Sequence, residues 1–267
     1  MRSTTSTTGS AERWGPLWGA RAADWAAVEE QQAPTYEAAI ERIGIQAGQR
    51  VLEVGCGSGV FLRLAADRGA RVFGLDASDE LLALARMRVP EADLRAGDMQ
   101  FLPYNDDGFD LVAGFNAFFF ATDMTAALRE AGRVARPGAP VVIQVFGPPE
   151  RCDIEAMKVI ARTFMPGRAP DAPPPPAFWK PGLLEDMAAE AGLEPQMTFD
   201  VRYAVEYADA ETLSRRMVAA AGVAAVAGPA REASLRVQIV DALARFRTAG
   251  GGYRMRNEYH YLVARAA

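Results

Sequence analysis

The sequence predicts an α/β fold with a mostly parallel sheet, and three observations carry that prediction. Short apolar runs of strand type alternate with stretches of helical period over residues 50–146. The first run, Val51-Leu52-Glu53-Val54, leads straight into Gly55-Cys56-Gly57-Ser58-Gly59, with a glycine at every second position. The second, Val72-Phe73-Gly74-Leu75, ends in an acid, Asp76. Crossovers between parallel strands are right-handed, and such sheets receive ligands at the carboxyl ends of their strands.

Each element has its own signal. Residues 1–14 are rich in Ser, Thr and Gly without an apolar core; they read as a disordered tail and not as a secretory signal, with 15–267 as one domain. Residues 18–45 read as helical, broken near Pro34. The glycines after the first strand lack a Cβ, so the chain can turn with positive φ and let a ligand lie against the backbone. Residues 58–68 form the next helix, whose N-terminal N–H groups suit a polar or anionic ligand group. Ser78 is placed to cap a helix carrying Leu81, Leu82 and Leu84. Residues 93–96 form a third strand, followed by Gly97-Asp98-Met99. Residues 109–115 form a fourth, leading into Asn116 and Phe118-Phe119-Phe120. Asp123 opens a helix that Pro137-Gly138 ends, and residues 140–146 form a fifth strand.

After Phe146 the rhythm changes. A helix over 153–164, a proline-rich loop over 166–176, a helix over 180–191 and a sixth strand over 193–207 are expected. Two helices follow, 209–226 with Leu213, Met217 and Ala221 on one face and 231–247 with Leu235, Ile239, Leu243 and Phe246 at helical spacing, and residues 257–264 form the last strand. A segment of nearly fifty residues before a final strand carries its own structure or a function. Segments 147–179 and 205–252 are expected to form a helical lid on the ligand side. Extra core, or the surface of a homodimer, is the competing use.

Composition narrows the function. The net charge of −5 argues against a nucleic-acid partner. Two cysteines make no disulfide framework, and one histidine, His260, makes no multi-histidine metal site, so no metal is expected. No run approaches the ~20 apolar residues of a membrane span. A cytoplasmic location is expected, and the excess of Arg over Lys fits a bacterial coding sequence.

The spacing of Gly55, Gly57 and Gly59 departs from a dinucleotide G-x-G-x-x-G, because Val60 stands where the third glycine or alanine would. Asp76 suits the ribose of either kind of cofactor. With Glu53-Val54-Gly55-Cys56-Gly57-Ser58-Gly59, Gly74-Leu75-Asp76, Gly97-Asp98-Met99 and Phe109-Asp110-Leu111-Val112 in order, residues 50–146 resemble the class I S-adenosylmethionine-dependent methyltransferases. The similarity is greatest to the small-molecule group that includes the ubiquinone/menaquinone-biosynthesis type. It implies a three-layer, Rossmann-like, seven-stranded sheet whose last strand is antiparallel between the fifth and sixth. It also implies S-adenosylmethionine as cofactor. Glu53 would orient the methionine ammonium, and the turn Gly55, Cys56, Gly57 and Gly59 would approach the methionine and ribose. Asp76 would hold the ribose hydroxyls with Ala77 beside the adenine. Gly97, Asp98 and Met99 would grip the adenine, and Phe115 and Asn116 would face the methionine end or the acceptor.

The acceptor side is read from the residues. Phe118 and Phe119 suit an apolar acceptor pocket or core packing equally, and Trp179, Tyr203, Arg254 and Asn257 are candidate contacts to a small organic acceptor. No catalytic base is assigned: His260 lies mid-strand and reads as structural, Asp123 as a helix cap and Cys56 as a small turn residue. Methyl transfer to an O, N or C atom by proximity and desolvation is the expected reaction. A non-methylating, cyclase-like enzyme and a non-enzymatic S-adenosylmethionine-binding protein are the alternatives.

Overall fold

The computed structural model describes residues 9–157, 176–219 and 228–267. The strands are β1 (Arg50–Val54), β2 (Arg71–Asp76), β3 (Asp93–Ala96), β4 (Leu111–Phe115), β5 (Pro140–Phe146), β6 (Leu193–Tyr207) and β7 (Tyr253–Ala266). They form one sheet in the order β3-β2-β1-β4-β5-β7-β6. β1 pairs in parallel with β2 and β4, and β4 with β5. β7 runs antiparallel between β5 and β6, as expected of the last strand. β1 and β4 are buried almost throughout, as central strands covered on both faces must be.

The helices are α1 (Ser10–Gly19), α2 (Ala22–Glu29), α3 (Ala33–Ile43), α4 (Val60–Ala66), α5 (Asp79–Arg88), α6 (Met124–Val134), α7 (Leu183–Glu190), α8 (Ala210–Ala219) and α9 (Pro229–Ala242). One face of the sheet packs on α6 and α7 through Leu128, Val134 and Leu184. The other packs on α3 and α4 through Tyr36, Ile40 and Phe61. Side chains alternate along β7, so Tyr259 and Tyr261 join the second layer while Leu262 and Ala264 join the first. A third cluster joins Leu213, Met217, Leu235 and Ile239 to Tyr207 and Met255, where β6 ends and β7 begins.

Local chemistry sets the boundaries. Ser78 Oγ accepts the Leu81 N–H at 3.2 Å, and Asp123 accepts the Ala126 N–H at 2.9 Å, so both are N-caps. The helical stretch is interrupted just before Pro34, as expected: α2 ends at Glu29 and a 3-10 turn, Glu30–Gln32, precedes α3. Pro34 lies in the first turn of α3, where its missing N–H has no partner to lose. Residues 10–14, expected as the end of a disordered tail, are helical, because α1 begins at Ser10. That stretch has no apolar core of its own, but it docks on the domain: Trp14 packs edge-on to Phe120 with centroids 4.8 Å apart. The expected helix over 153–164 and the proline-rich loop fall largely, and Ala221 wholly, outside the described residues.

Candidate active site

β1, β2 and β4 end on the same side of the sheet, and a cavity of about 300 Å³ opens there. Its floor is the glycine turn. Gly55 and Gly57 both have positive φ, and a Cβ on Gly55 would stand 2.6 Å from the Ala117 methyl. The turn is fastened to β2: Gly55 N–H donates to Leu75 O, and Gly57 N–H donates to Asp76 Oδ2 at 2.8 Å. Asp76 Oδ1 accepts the Ser78 N–H at 2.9 Å, so one carboxylate ties the turn to the start of α5.

Three carboxylates line this end: Glu29 from α2, Glu53 from β1 and Asp76 from β2. Burial raises all three pKa values, Glu29 to about 7 and Glu53 well above the usual carboxylate range. Bonds from Ser58 to Glu29, and from Ser78 and Gly57 to Asp76, work against that rise. Glu53 is 2% exposed, and its Oε2 has no hydrogen-bond partner. Asn116 lines the cavity in a left-handed conformation at φ 52°, and its Oδ1 is likewise unpartnered. Orphaned buried acceptors facing a cavity are satisfied by a ligand's donors. An unpartnered acid, an unpartnered amide oxygen, a bare glycine turn and a ribose-ready acid therefore fit S-adenosylmethionine.

The rest of the lining is apolar and aromatic. Trp14, Trp18, Phe119 and Phe120 form one wall, and Phe146, Met157, Met217 and Met255 another. Trp18 meets Trp25 edge-on at 4.6 Å. The polar marks here are phenols. Tyr203 stacks on Tyr259 at 4.5 Å and donates to its hydroxyl at 2.6 Å. Tyr259 donates to Gln32 Oε1 at 3.0 Å, and the Asn116 side chain bonds the same hydroxyl. Burial holds both phenols above their ordinary range, so they act as neutral hydrogen-bonding groups.

The cavity gathers Glu53, Gly55, Gly57, Asp76, Ala77 and Gly97. Met99, Phe115, Asn116, Phe119, Tyr203 and Asn257 also line it. Other expected residues lie elsewhere. Asp98 is not in the lining: its Oδ2 accepts from Ser10 Oγ at 2.9 Å and Ala11 N–H at 2.8 Å, two residues that do line the cavity, so it caps α1 from a distance. Cys56 is fully buried under Gly74, and Gly59 packs against Ala85 behind the turn. Phe118 is core, because its ring fills the space where a Gly114 Cβ would stand. Trp179 is outside the lining; its neighbour Phe178 stacks with Phe119 instead. Arg254 faces outward and pairs with Glu206 at 3.3 Å. His260 lies on the sheet face opposite Tyr259, with Nδ1 2.8 Å from Asp200.

Sequence reading missed the N-terminal contribution: Trp14, Trp18, Trp25, Glu29, Gln32 and Tyr36 all line the cavity. The spacing of Trp14 and Trp18, four residues apart on one helical face, was a usable signal.

The sheet order and the cavity at its strand ends are those of the Rossmann-like α/β fold. A family profile described as "Methyltransferase domain" matches residues 52–143. A "Probable S-adenosylmethionine-dependent methyltransferase" of Mycolicibacterium smegmatis is 32% identical over 190 residues, covering 70% of this chain and 68% of that protein. A demethylmenaquinone methyltransferase of Renibacterium salmoninarum is 36% identical over 110 residues, 41% of this chain and 46% of its own length. Among solved structures, the [4+2]-cyclase SpnF superposes with a TM-score of 0.58 at 22% identity, covering 87% of this chain and 80% of its own. The Bacillus subtilis YcgJ protein does so at 0.58 and 17%, covering 88% and 99%. These two share the fold. The chain belongs to the S-adenosylmethionine-dependent methyltransferases, and it is an enzyme that transfers a methyl group from that cofactor.

Proposed function

We propose that the acceptor is a small, largely apolar organic molecule that offers an O, N or C nucleophile to the tyrosine end of the cavity. The division of the lining carries this reading: carboxylates gather at the glycine turn, and the remainder is mostly aromatic rings, methionines, aliphatic side chains and neutral phenols, with Ser10, Gln32, Asn116 and Asn257 as its uncharged polar groups. No Lys, Arg or His lines the cavity among the described residues, so an anionic acceptor would meet no counter-charge. The name of the Renibacterium relative, a demethylmenaquinone methyltransferase, supports an acceptor of apolar character.

In this reading Asp76 takes the ribose hydroxyls, with Ala77, Gly97 and Met99 around the adenine. Glu53 and the Gly55 and Gly57 backbone take the methionine end. When bound, S-adenosylmethionine supplies a methyl group already activated by its sulfonium, so the protein needs chiefly to align the nucleophile and keep water out. Asn116 and Tyr203 orient the acceptor through hydrogen bonds. Phe119 and Phe120, with Met157 and Met217 from the segments flanking β6 and β7 and Met255 at the start of β7, close a dry wall around it. These segments act as the lid.

The test is S-adenosylhomocysteine release with a matched acceptor panel, each product verified by mass spectrometry. Apolar phenols and quinols should be methylated, and their carboxylate-bearing analogues should not. Turnover confined to the anionic members would refute the reading.

A further inference from the structure

We propose that Glu29 on α2 binds the positive charge of the cofactor, so that the N-terminal helices are part of the cofactor site and not only its cover. This rests on reading the cavity as the S-adenosylmethionine seat. Glu29 is 4% exposed and lines the cavity beside the glycine turn. Its Oε2 accepts the Ser58 N–H at 2.9 Å and the Ser58 hydroxyl at 2.8 Å, while Oε1 accepts no bond among the described residues. Both oxygens lie against Gly57, where an added Cβ would stand 2.8 and 3.0 Å from them. A second carboxylate, Glu53, also presents a buried oxygen without a partner to the same cavity. Two such acids with open acceptor positions are costly to bury as anions unless a cation completes them.

The groups around Glu29 supply little of that charge. β1 contributes Glu53 and the turn Cys56 and Ser58, β2 contributes Asp76, and α3 contributes the Tyr36 phenol. Among the described residues, the one cation acting on Glu29 is Arg88 of α5. Its guanidinium is already spent on Ser58 O at 3.0 Å, Ser58 Oγ at 2.6 Å and Glu30 at 2.5 Å. S-adenosylmethionine carries a sulfonium and an ammonium, and its arrival favours the charged form of both acids. Burial lifts Glu29 to about 7 and Glu53 higher, so the cofactor-free cavity holds protons near neutrality. Cofactor binding expels them, and affinity therefore rises with pH.

The experiment is titration calorimetry of S-adenosylmethionine into the full chain between pH 6.0 and 8.5, in two buffers of different ionisation enthalpy. The wild-type protein should release protons on binding and gain several-fold in affinity across this interval. Glu29→Gln keeps an oxygen for both Ser58 bonds but loses the charge. It should bind at least 10-fold more weakly at pH 8, approach wild type at pH 6 and release fewer protons. Glu29→Asp, which keeps the charge on a shorter arm, should retain the pH slope at reduced affinity. Binding by Glu29→Gln that equals or exceeds wild type at pH 8 overturns the proposal, since the carboxylate would then be idle or would compete with the cofactor at Ser58. Wild-type binding without proton release overturns it even if a variant fails to fold. Absence of any S-adenosylmethionine binding by wild type would sink the cofactor seat itself, a separate failure.

Discussion

Asp76 joins three parts of the site with one carboxylate, accepting from the Gly57 turn and from the start of α5 at Ser78 while facing the cavity. Asp76→Ala leaves both buried donors without that acceptor and removes the acid assigned to the ribose. Calorimetry should register at least a 10-fold loss of S-adenosylmethionine affinity, about 1.4 kcal/mol or more. Unchanged affinity would remove Asp76 from the seat. Tyr203 separates the cofactor from the acceptor: its hydroxyl reaches Tyr259 and touches none of the three carboxylates. Tyr203→Phe keeps the stack on Tyr259 and deletes the hydroxyl oxygen, whose lone pairs are what it offers to an acceptor's O–H or N–H once its own proton is given to Tyr259. Cofactor affinity should stay within about twofold of wild type, while acceptor kcat/KM falls on the order of 10-fold, the scale of one hydrogen bond.

Helix α1 reaches the cavity because two contacts hold it there. Asp98 caps its first turn, and Gly15 lets it lie on the loop after β2, where a Cβ would come within 2.3 Å of the Ala77 carbonyl oxygen. A backbone oxygen does not yield as a flexible side chain would, so Gly15→Ala displaces the helix and its Trp14 and Trp18 wall. Cofactor affinity should drop while far-ultraviolet dichroism of the sheet and core helices is retained; wild-type affinity in this variant would mean that α1 is not part of the seat. Helices α8 and α9 hold the opposite wall. They also reach the N-terminal helices through the Arg21–Glu232 pair at 2.6 Å and the Arg215–Asp24 pair. Leu235 is fully buried between them and the strand ends. Leu235→Ala should cost about 2–5 kcal/mol of local packing. Acceptor turnover should fall more than cofactor affinity, because Met217 and Tyr207 lie in the same cluster. Equal losses of both would assign α8 and α9 to general stability and not to the acceptor wall.

The molecule as a whole sets one mixed sheet under two covers: the N-terminal helices, and the segments flanking β6 and β7. Both rest on the carboxyl ends of the strands, which places charge, aromatic surface and phenols around a single cavity. That arrangement sets the pH response of the cofactor-free protein. Glu29 has a folded pKa of about 7 against an unfolded value of 4.5, so its contribution to stability is full below pH 4.5 and is lost as the pH rises through 7. Glu53 and Asp76 are raised by the same cause and act with the same sign. Acids that arginines hold low, such as Asp93 and Glu130, titrate below this window. The loss from Glu29 is at most about 3 kcal/mol. Thermal melts without cofactor should show Tm falling between pH 5 and 8, with a smaller fall in Glu29→Gln; an equal fall in both would place the effect elsewhere.

Much of this was legible along the chain because it is written in local periods. The alternation over 50–146, the glycine turn and Ser78 and Asp123 as caps are short-range patterns, and the structure repeats them, as it does the antiparallel last strand that the family resemblance implied. One acceptor-side expectation failed against a rule the sequence already contained. Arg254 and Asn257 are an odd number of positions apart on β7, so a strand of period two sends one inward and the other out. Other outcomes depended on neighbours distant in the chain. Asp98 reads as an adenine contact until Ser10 and Ala11, almost ninety positions earlier, claim its carboxylate. Phe118 and Phe119 are equivalent in sequence, and only the vacancy over Gly114 makes the first of them core. The sequence by itself determined the strand–helix alternation and the turn, because backbone geometry and hydrophobic period are properties of adjacent residues, while the cofactor class and the strand order came from the resemblance of its motifs to a known family. Tertiary structure alone decided which acids face the cavity and which helices cover it, because burial and hydrogen-bond partners exist only once distant segments meet.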